Sequence, residues 1–576
     1  MPARRSTLAR RPRLVPSLWD LVVFALVIGA LALIAIAGRE TLQPLAVAQA
    51  PLSLDPAGLP HYALRTTLRM LAAMMAALLF TFAFGALAAK SRRAEMVLIP
   101  LLDILQSVPV LGFLSFTVTG FMALFPGQVL GVELAAIFAI FTSQAWNMAY
   151  SFYHSTKTIP RDLRDLSDSM RLGAWRRFWT LEAPHAAPNL IWNAMISMSG
   201  AWFFVVASEA ISVGRTTVSL PGVGSYVALA IAEHDLRAVG WAVLTMALVI
   251  LAYDQLLFRP LVAWAEKFRI GEAPKDAPTP RSWMLDFIQR ADMARRVMRP
   301  IGALLSSLAS VRLGKPMELP PRVARAWASP RADLVWYGLM AAVGLLGAWR
   351  AAVFIGAETP LTEVLTVFGL GLITLVRVVV LIALASLVWV PIGVWIGLRP
   401  RWAATLQPVT QFLAAFPANL LFPVAVAAIV RFDLTPDIWL SPLMILGAQW
   451  YILFNVIAGA RAFPADLLEV AAALRLRGWA WWKKVILPGV FPAYVTGAVT
   501  AGGGAWNAAI VAEVASWGPT RLSAHGLGAY IADATTAGDL RRVVLGVAVM
   551  AVYVVLFNRL VWDPLFTAAA RRLRAE

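Results

Sequence analysis

Gly200-Ala201-Trp202, Glu209, Gly222-Val223-Gly224 and Asp235-Leu236-Arg237 recur 304 residues later as Gly504-Ala505-Trp506, Glu513, Gly526-Leu527-Gly528 and Asp539-Leu540-Arg541. The shift is constant and ungapped. It extends back through Trp146 and Trp450, Pro160 and Pro464, Arg171-Leu172 and Arg475-Leu476, and Pro184 and Pro488, and forward to Pro260-Leu261 and Pro564-Leu565. Further upstream a shift of 308 aligns Arg69 with Arg377, Gly85 with Gly393 and Pro109 with Pro417. Such self-similarity marks a duplicated unit, and it organises the whole chain.

Of the 576 residues, 60% are hydrophobic and 14% charged, more apolar surface than soluble cores of this size can hide. Apolar runs long enough to span a bilayer fall near 18–38, 66–89, 96–122, 130–152, 188–213 and 238–260, then near 334–356, 371–398, 405–430, 438–460, 490–515 and 541–562. The fold expected is an all-α membrane protein of twelve transmembrane helices in two homologous six-helix bundles. Prolines in the third and ninth runs point to broken helices. An even span count per half gives parallel repeats, a pseudo-two-fold axis along the membrane normal, and a pathway between the halves. The domains expected are 1–261, a polar linker 262–333, and 334–576. Within the linker, 282–308 mixes Trp283, Phe287 and Ile288 with Arg290, Arg295 and Arg296, the pattern of a basic amphipathic helix on the membrane face or of a plain tether.

The formal charge is +18. Much of it lies between apolar runs: Lys90, Arg92 and Arg93; Lys157, Arg161, Arg164, Arg171, Arg176 and Arg177; Lys267 and Arg269. By the positive-inside rule these segments and both termini are cytoplasmic, which accounts for the charge without nucleic acid. Five arginines precede Leu18–Gly38, and no small-x-small cleavage site follows it closely, so this run reads as a retained first span in a bacterial inner membrane. Cysteine is absent, and the five histidines show no ligand spacing, so neither disulfides nor a metal or cofactor is expected.

The loops 158–188 and 463–492 hold the informative motif. Asp466-Leu467-Leu468-Glu469-Val470-Ala471-Ala472-Ala473-Leu474, followed by Val485-Ile486-Leu487-Pro488, resembles the coupling loop of permeases from binding-protein-dependent ABC importers (type I). The span from Gly504-Ala505-Trp506 to Glu513 is similar to the nitrate/sulfonate/taurine-type branch. The resemblance covers both halves. It implies that Glu469, Ala471, Gly478 and Pro488, and Asp165, Ser167, Gly173 and Pro184 in the first loop, couple the chain to separate ATPase subunits, one per loop. It further implies a periplasmic solute-binding protein and alternating access driven by ATP. The first loop departs with Asp165-Leu166-Ser167. The family's loop glycine would fall at Arg171 and Arg475; Gly173 and Gly478 lie two and three residues later, so a shifted turn and a shorter hairpin are expected.

No Gly-x-x-x-x-Gly-Lys-Ser/Thr phosphate loop occurs, so ATP hydrolysis is expected on a partner chain. Gly222-Val223-Gly224 and its twin fall on the outer side and read as turns beside a docking surface for the solute-binding protein. Glu209 and Glu513 lie inside apolar runs, where a carboxylate lines a pathway or gate, or locks helices together. Arg69 and Arg377 attract an anion or snorkel to the outer interface; Trp202 and Trp506 are candidates for the seam between halves. A proton-coupled secondary transporter using Glu209 and Glu513 is the alternative function. A membrane enzyme would need polar catalytic clusters at the membrane surface that the sequence lacks.

Overall fold

The computed structural model describes most of residues 52–268, 282–290 and 330–567, with scattered positions between 28 and 44 and between 299 and 311. Most of the expected first span, 18–38, and most of the segment 291–308 lie outside the described residues. The chain forms two compact units. One comprises 158–191 and 252–318 together with 1–40; the other comprises 41–157, 192–251 and 319–576.

The principal helices are α1 (Leu59–Lys90), α2 (Val129–Lys157), α3 (Arg161–Ser169), α4 (Ala183–Glu209), α5 (Val223–Ala232), α6 (Leu236–Tyr253), α7 (Pro330–Gly356), α8 (Leu361–Gly397), α9 (Gln449–Arg461), α10 (Ala465–Ala473), α11 (Leu487–Ala512), α12 (Leu527–Ala537) and α13 (Leu540–Phe557). Among the described residues, eight helices are long and apolar enough to cross a membrane, and ten if each of two bent helix pairs counts as one span. The expected break in 405–430 occurs: Arg401–Ala415 and Ala418–Arg431 meet at 77°. A second break, Pro436–Leu446 against Gln449–Arg461 at 41°, was not anticipated from the run 438–460. The run 96–122 is divided into Arg92–Ser107, a 3₁₀ turn Leu111–Phe113 and Leu114–Leu124. The described residues thus account for up to ten of the twelve spans expected; Pro417, which lacks the backbone donor an unbroken helix needs, sits at the 77° break, whereas the 41° break falls at Gly447-Ala448.

The duplication persists in backbone detail. One-turn π-helices at Phe178–Glu182 and Asp254–Phe258 recur at Trp482–Ile486 and Asn558–Trp562. Gly85 lies so close to Phe152 that an added Cβ would clash, and Gly393 stands likewise against Val456, so α1 crosses α2 as α8 crosses α9. The expectation of an all-α molecule needs one amendment. Antiparallel ladders pair Ala210–Val213 with Thr216–Ser219 and Val514–Trp517 with Thr520–Ser523. Ile211, Val213, Thr216, Thr217 and Val218 supply the β-branched content of the first.

An apolar core in the larger unit draws on both halves, joining Val110, Leu114, Ala135 and Ala139 to Val378, Ile382, Trp506 and Ile510. Its outer surface is apolar as well. Leu345, Leu361 and Leu387 are each more than 70% exposed, and the apolar window of α7 has no buried residue. Side chains of this kind in such number require lipid around them. In the smaller unit the start of the linker turns back: the helix Trp283–Arg290 packs on Arg259–Ala265, and the Trp283 indole donates to Gln255 Oε1 at 3.3 Å.

Candidate translocation site and paired loops

Glu209 ends α4 with no exposed surface, in an apolar surrounding where a lone carboxylate would be costly. Every contact it makes offsets that cost. Its Oε1 accepts from Thr66 Oγ1 and from Arg69 Nη1, each at 2.7 Å, and its Oε2 accepts from the Gly224 amide at 2.7 Å. Arg69 also donates to Glu133 through Nε and Nη2, and Arg65 donates to Glu133 at 2.6 Å. Two arginines and two carboxylates thus form a buried cluster with no net charge, joining α1, α2, α4 and α5. The approach of α5 is close: a Cβ on Gly222 would fall on the Glu209 carboxyl group. Gly222-Val223-Gly224 is the seat of a carboxylate.

The second half rebuilds this cluster with a more open partner. Glu513 accepts from Thr374 Oγ1 at 2.9 Å, Arg377 Nη1 at 3.2 Å and the Ala529 amide at 3.1 Å. Arg377 reaches Asp437, 304 residues after Glu133, at 3.0 Å. Asp437 is 47% exposed and is also bound by His525, whose amide donates to it at 2.7 Å. Arg65 has no counterpart, because the shift of 308 places Ile373 there.

Between residues of the two halves lies a cavity of about 340 Å³. Gln106, Thr142, Ser143 and Asn147 line it from the first half, together with Asn193 and Ser199; Gln411, Tyr451, Asn455, Thr496, Thr500 and Asn507 line it from the second. Trp146, Phe204, Trp506 and Phe557 supply aromatic walls, and no Asp, Glu, Lys or Arg is among its described lining residues. The halves touch nearby through the Val110 amide, which donates to Asn507 Oδ1 at 2.8 Å.

The two loops 158–188 and 463–492 fold alike. Helix α3 ends with Leu172 N donating to Ser167 O and Arg171 N to Asp168 O; α10 ends with Leu476 N donating to Ala471 O and Arg475 N to Ala472 O. Both are Schellman caps. Their left-handed residues are Arg171 (φ 49°) and Arg475 (φ 48°), so the expected shift of the turn to Gly173 does not occur. Gly173 is extended, and Gly478 is a further left-handed residue in the second loop only. Ser167 and Ala471 are buried against the loop, whereas Asp165 and Glu469 are exposed. Pro184 and Pro488 each stand two residues after the π turn that leads into α4 or α11. Leu166, Met170 and Trp175 are exposed in the first loop, and Val470, Leu474 and Trp479 stand exposed 304 residues later.

Residues 81–258 and again 389–574 match the family model for the binding-protein-dependent transport system inner membrane component. The chain belongs to that family. It carries the family's domain twice, in the manner of a fused permease pair. A bicarbonate transport system permease protein from Synechococcus elongatus is 30% identical over 188 residues, covering 33% of this chain and 64% of the relative. A nitrate import permease protein from Leptolyngbya laminosa is 29% identical over 188 residues, with the same coverage of 33% and 64%. A putative aliphatic sulfonates transport permease protein from Bacillus subtilis is 30% identical over 219 residues, 36% of this chain and 75% of the relative. The chain thus spans 64% of the length of the first two.

In this transport-system membrane component, Trp506 lines the cavity. Trp202, Glu209, Glu513, Arg69 and Arg377 are not among its described lining residues; Trp202 is buried, and the other four belong to the two ion clusters. The sequence reading passed over Glu133 and Asp437. Their signal is available: each is an acid that the shift of 304 pairs with the other.

Proposed function

We propose that this chain is the complete translocation pathway of an ATP-driven importer, with domains at 1–261 and 334–576 each contributing six spans. Separate ATPase subunits dock on its two cytoplasmic loops, and a periplasmic binding protein delivers a small solute such as those named for the relatives. The reading rests on the paired exposed apolar faces, Leu166, Met170 and Trp175 in one loop and Val470, Leu474 and Trp479 in the other. Each begins on a short helix ended by a Schellman cap, and its tryptophan stands on the next helical turn, which runs through a π turn into a long membrane helix. A closing ATPase that grips such a helix would move the membrane helix as a rigid body.

The polar wall of the cavity supports its use as the solute path, and the buried clusters argue against proton coupling. Glu209 is enclosed by donors, and its protonation would leave Arg69 undercompensated in a dry site. The test is isolation of the chain from its native membrane beside Glu469→Arg and a Val470→Asp/Leu474→Asp variant. Recovery of a Walker-motif ATPase at two copies per chain, reduced in both variants, supports the reading; absence of any ATPase under gentle extraction refutes it.

A further inference from the structure

Five hydroxyls on the cavity wall are turned into acceptors by their own helices. Thr142 Oγ1 donates to Ala139 O at 3.0 Å and Ser143 Oγ to Ile140 O at 2.7 Å. Ser199 donates to Met195 O at 3.0 Å, Thr496 to Pro492 O at 3.1 Å and Thr500 to Thr496 O at 2.9 Å. A carbonyl oxygen cannot donate, so each hydroxyl proton is committed and only lone pairs remain for a solute. The amides follow the same trend: Asn455 and Asn507 each commit one N–H to a carbonyl, of Tyr451 and Gly503. The donors left on the wall are the remaining amide N–H groups of its asparagines and glutamines, indole N–H groups, and the Ser197 and Tyr451 hydroxyls, all of them uncharged. No cationic side chain is among its described residues.

An oxyanion entering this space would meet only uncharged donors beside the committed hydroxyls, with no guanidinium or ammonium among the described lining residues, an arrangement that disfavours a desolvated negative charge. A solute carrying N–H or O–H donors would meet partners, and the indole and phenyl faces of Trp146, Trp506 and Phe204 would receive its apolar or cationic body. Resting on the reading of the cavity as the solute path, we infer that the cargo is a small donor-rich organic solute without negative charge, of the amide, amine or amidine class. Cargo of this class differs from the bicarbonate, nitrate and sulfonates named for the relatives.

The test uses the whole chain in lipid nanodiscs and saturation-transfer NMR, which reads weak binding. The probes are benzamide, benzamidine and methanesulfonate, each added to wild type and to Thr496→Val/Thr500→Val. Those valines remove two acceptors that bond only within their own helix, and Ser143→Ala provides a second variant should the first lose its fold. Transfer to benzamide and benzamidine, at least fivefold weaker in the variant, with none to methanesulfonate, is the expected result. Transfer to methanesulfonate, no transfer to either donor probe, or donor-probe signals that the variants leave unchanged would overturn the inference. Co-purification of an ATPase is scored on the same preparations, so a failed cargo class and a failed importer reading are told apart.

Discussion

Arg69 and Glu209 lie 2.7 Å apart with both side chains almost wholly buried. The counterpart of this pair, Arg377 and Glu513, spans 3.2 Å, and its arginine shares its charge with the half-exposed Asp437. The two halves therefore hold the same clamp at different depths.

Breaking the deeper clamp leaves an uncompensated buried charge, a loss of about 3–5 kcal/mol. Arg69→Met is expected to lower the thermal midpoint of the detergent-solubilised chain more than Arg377→Met, since it takes an arginine from two buried carboxylates, Glu133 and Glu209, whereas Arg377→Met leaves Glu513 alone buried and frees Asp437 to turn to solvent. Equal losses in the two variants would contradict the difference in depth.

Gly222 and Gly526 leave no room for a methyl group beside the clamp carboxylates. Gly526→Ala is expected to destabilise by about 1–3 kcal/mol through overpacking. The double variant Gly526→Ala/Glu513→Gln would not recover the loss, because the amide occupies the same volume. Urea or thermal denaturation of the three chains measures this.

Arg171 and Arg475 occupy left-handed conformations that disfavour a side chain by about 1 kcal/mol. Arg171→Gly and Arg475→Gly are each expected to strengthen their Schellman caps, and Arg475→Val to weaken its own. Hydrogen exchange of the α3 and α10 amides reports the change locally, with slower exchange expected in the glycine variants.

The hydrogen bond from Lys157 to Glu95 at 2.7 Å, joined by one from Tyr153, holds the Glu95 carboxyl below its ordinary value of 4.5. A depressed carboxylate adds stability that is complete above the unfolded value and fades as pH falls through the lower folded one. Glu95→Gln is expected to cost stability at pH 7, and the two thermal midpoints should converge as the pH is lowered below 4.5. Parallel curves across that range would exclude the contribution.

The repeat was legible in the sequence because its matched residues sit at contacts. Gly85 and Gly393 mark helix crossings, and Glu209 and Glu513 anchor the clamps. Span continuity was less legible, because hydropathy averages over the bends at Pro417 and at Gly447-Ala448. The turn position was missed for a physical reason: arginine carries no preference for left-handed backbone, and the cap imposes it there. The clamp partners Glu133 and Asp437 escaped notice because one is masked by an apolar run and the other opens a helix at the membrane edge. The hairpins at Ala210–Val213 and Val514–Trp517 are too short to register against the helical period around them.

The most direct test of the account is the mass composition of the complex isolated from native membranes. Two ATPase subunits per chain, falling to one when Val470→Asp/Leu474→Asp disables the second loop alone, is the result expected for two equivalent coupling sites. A chain that carries no ATPase, or one whose ATPase content is unmoved by that variant, would contradict it.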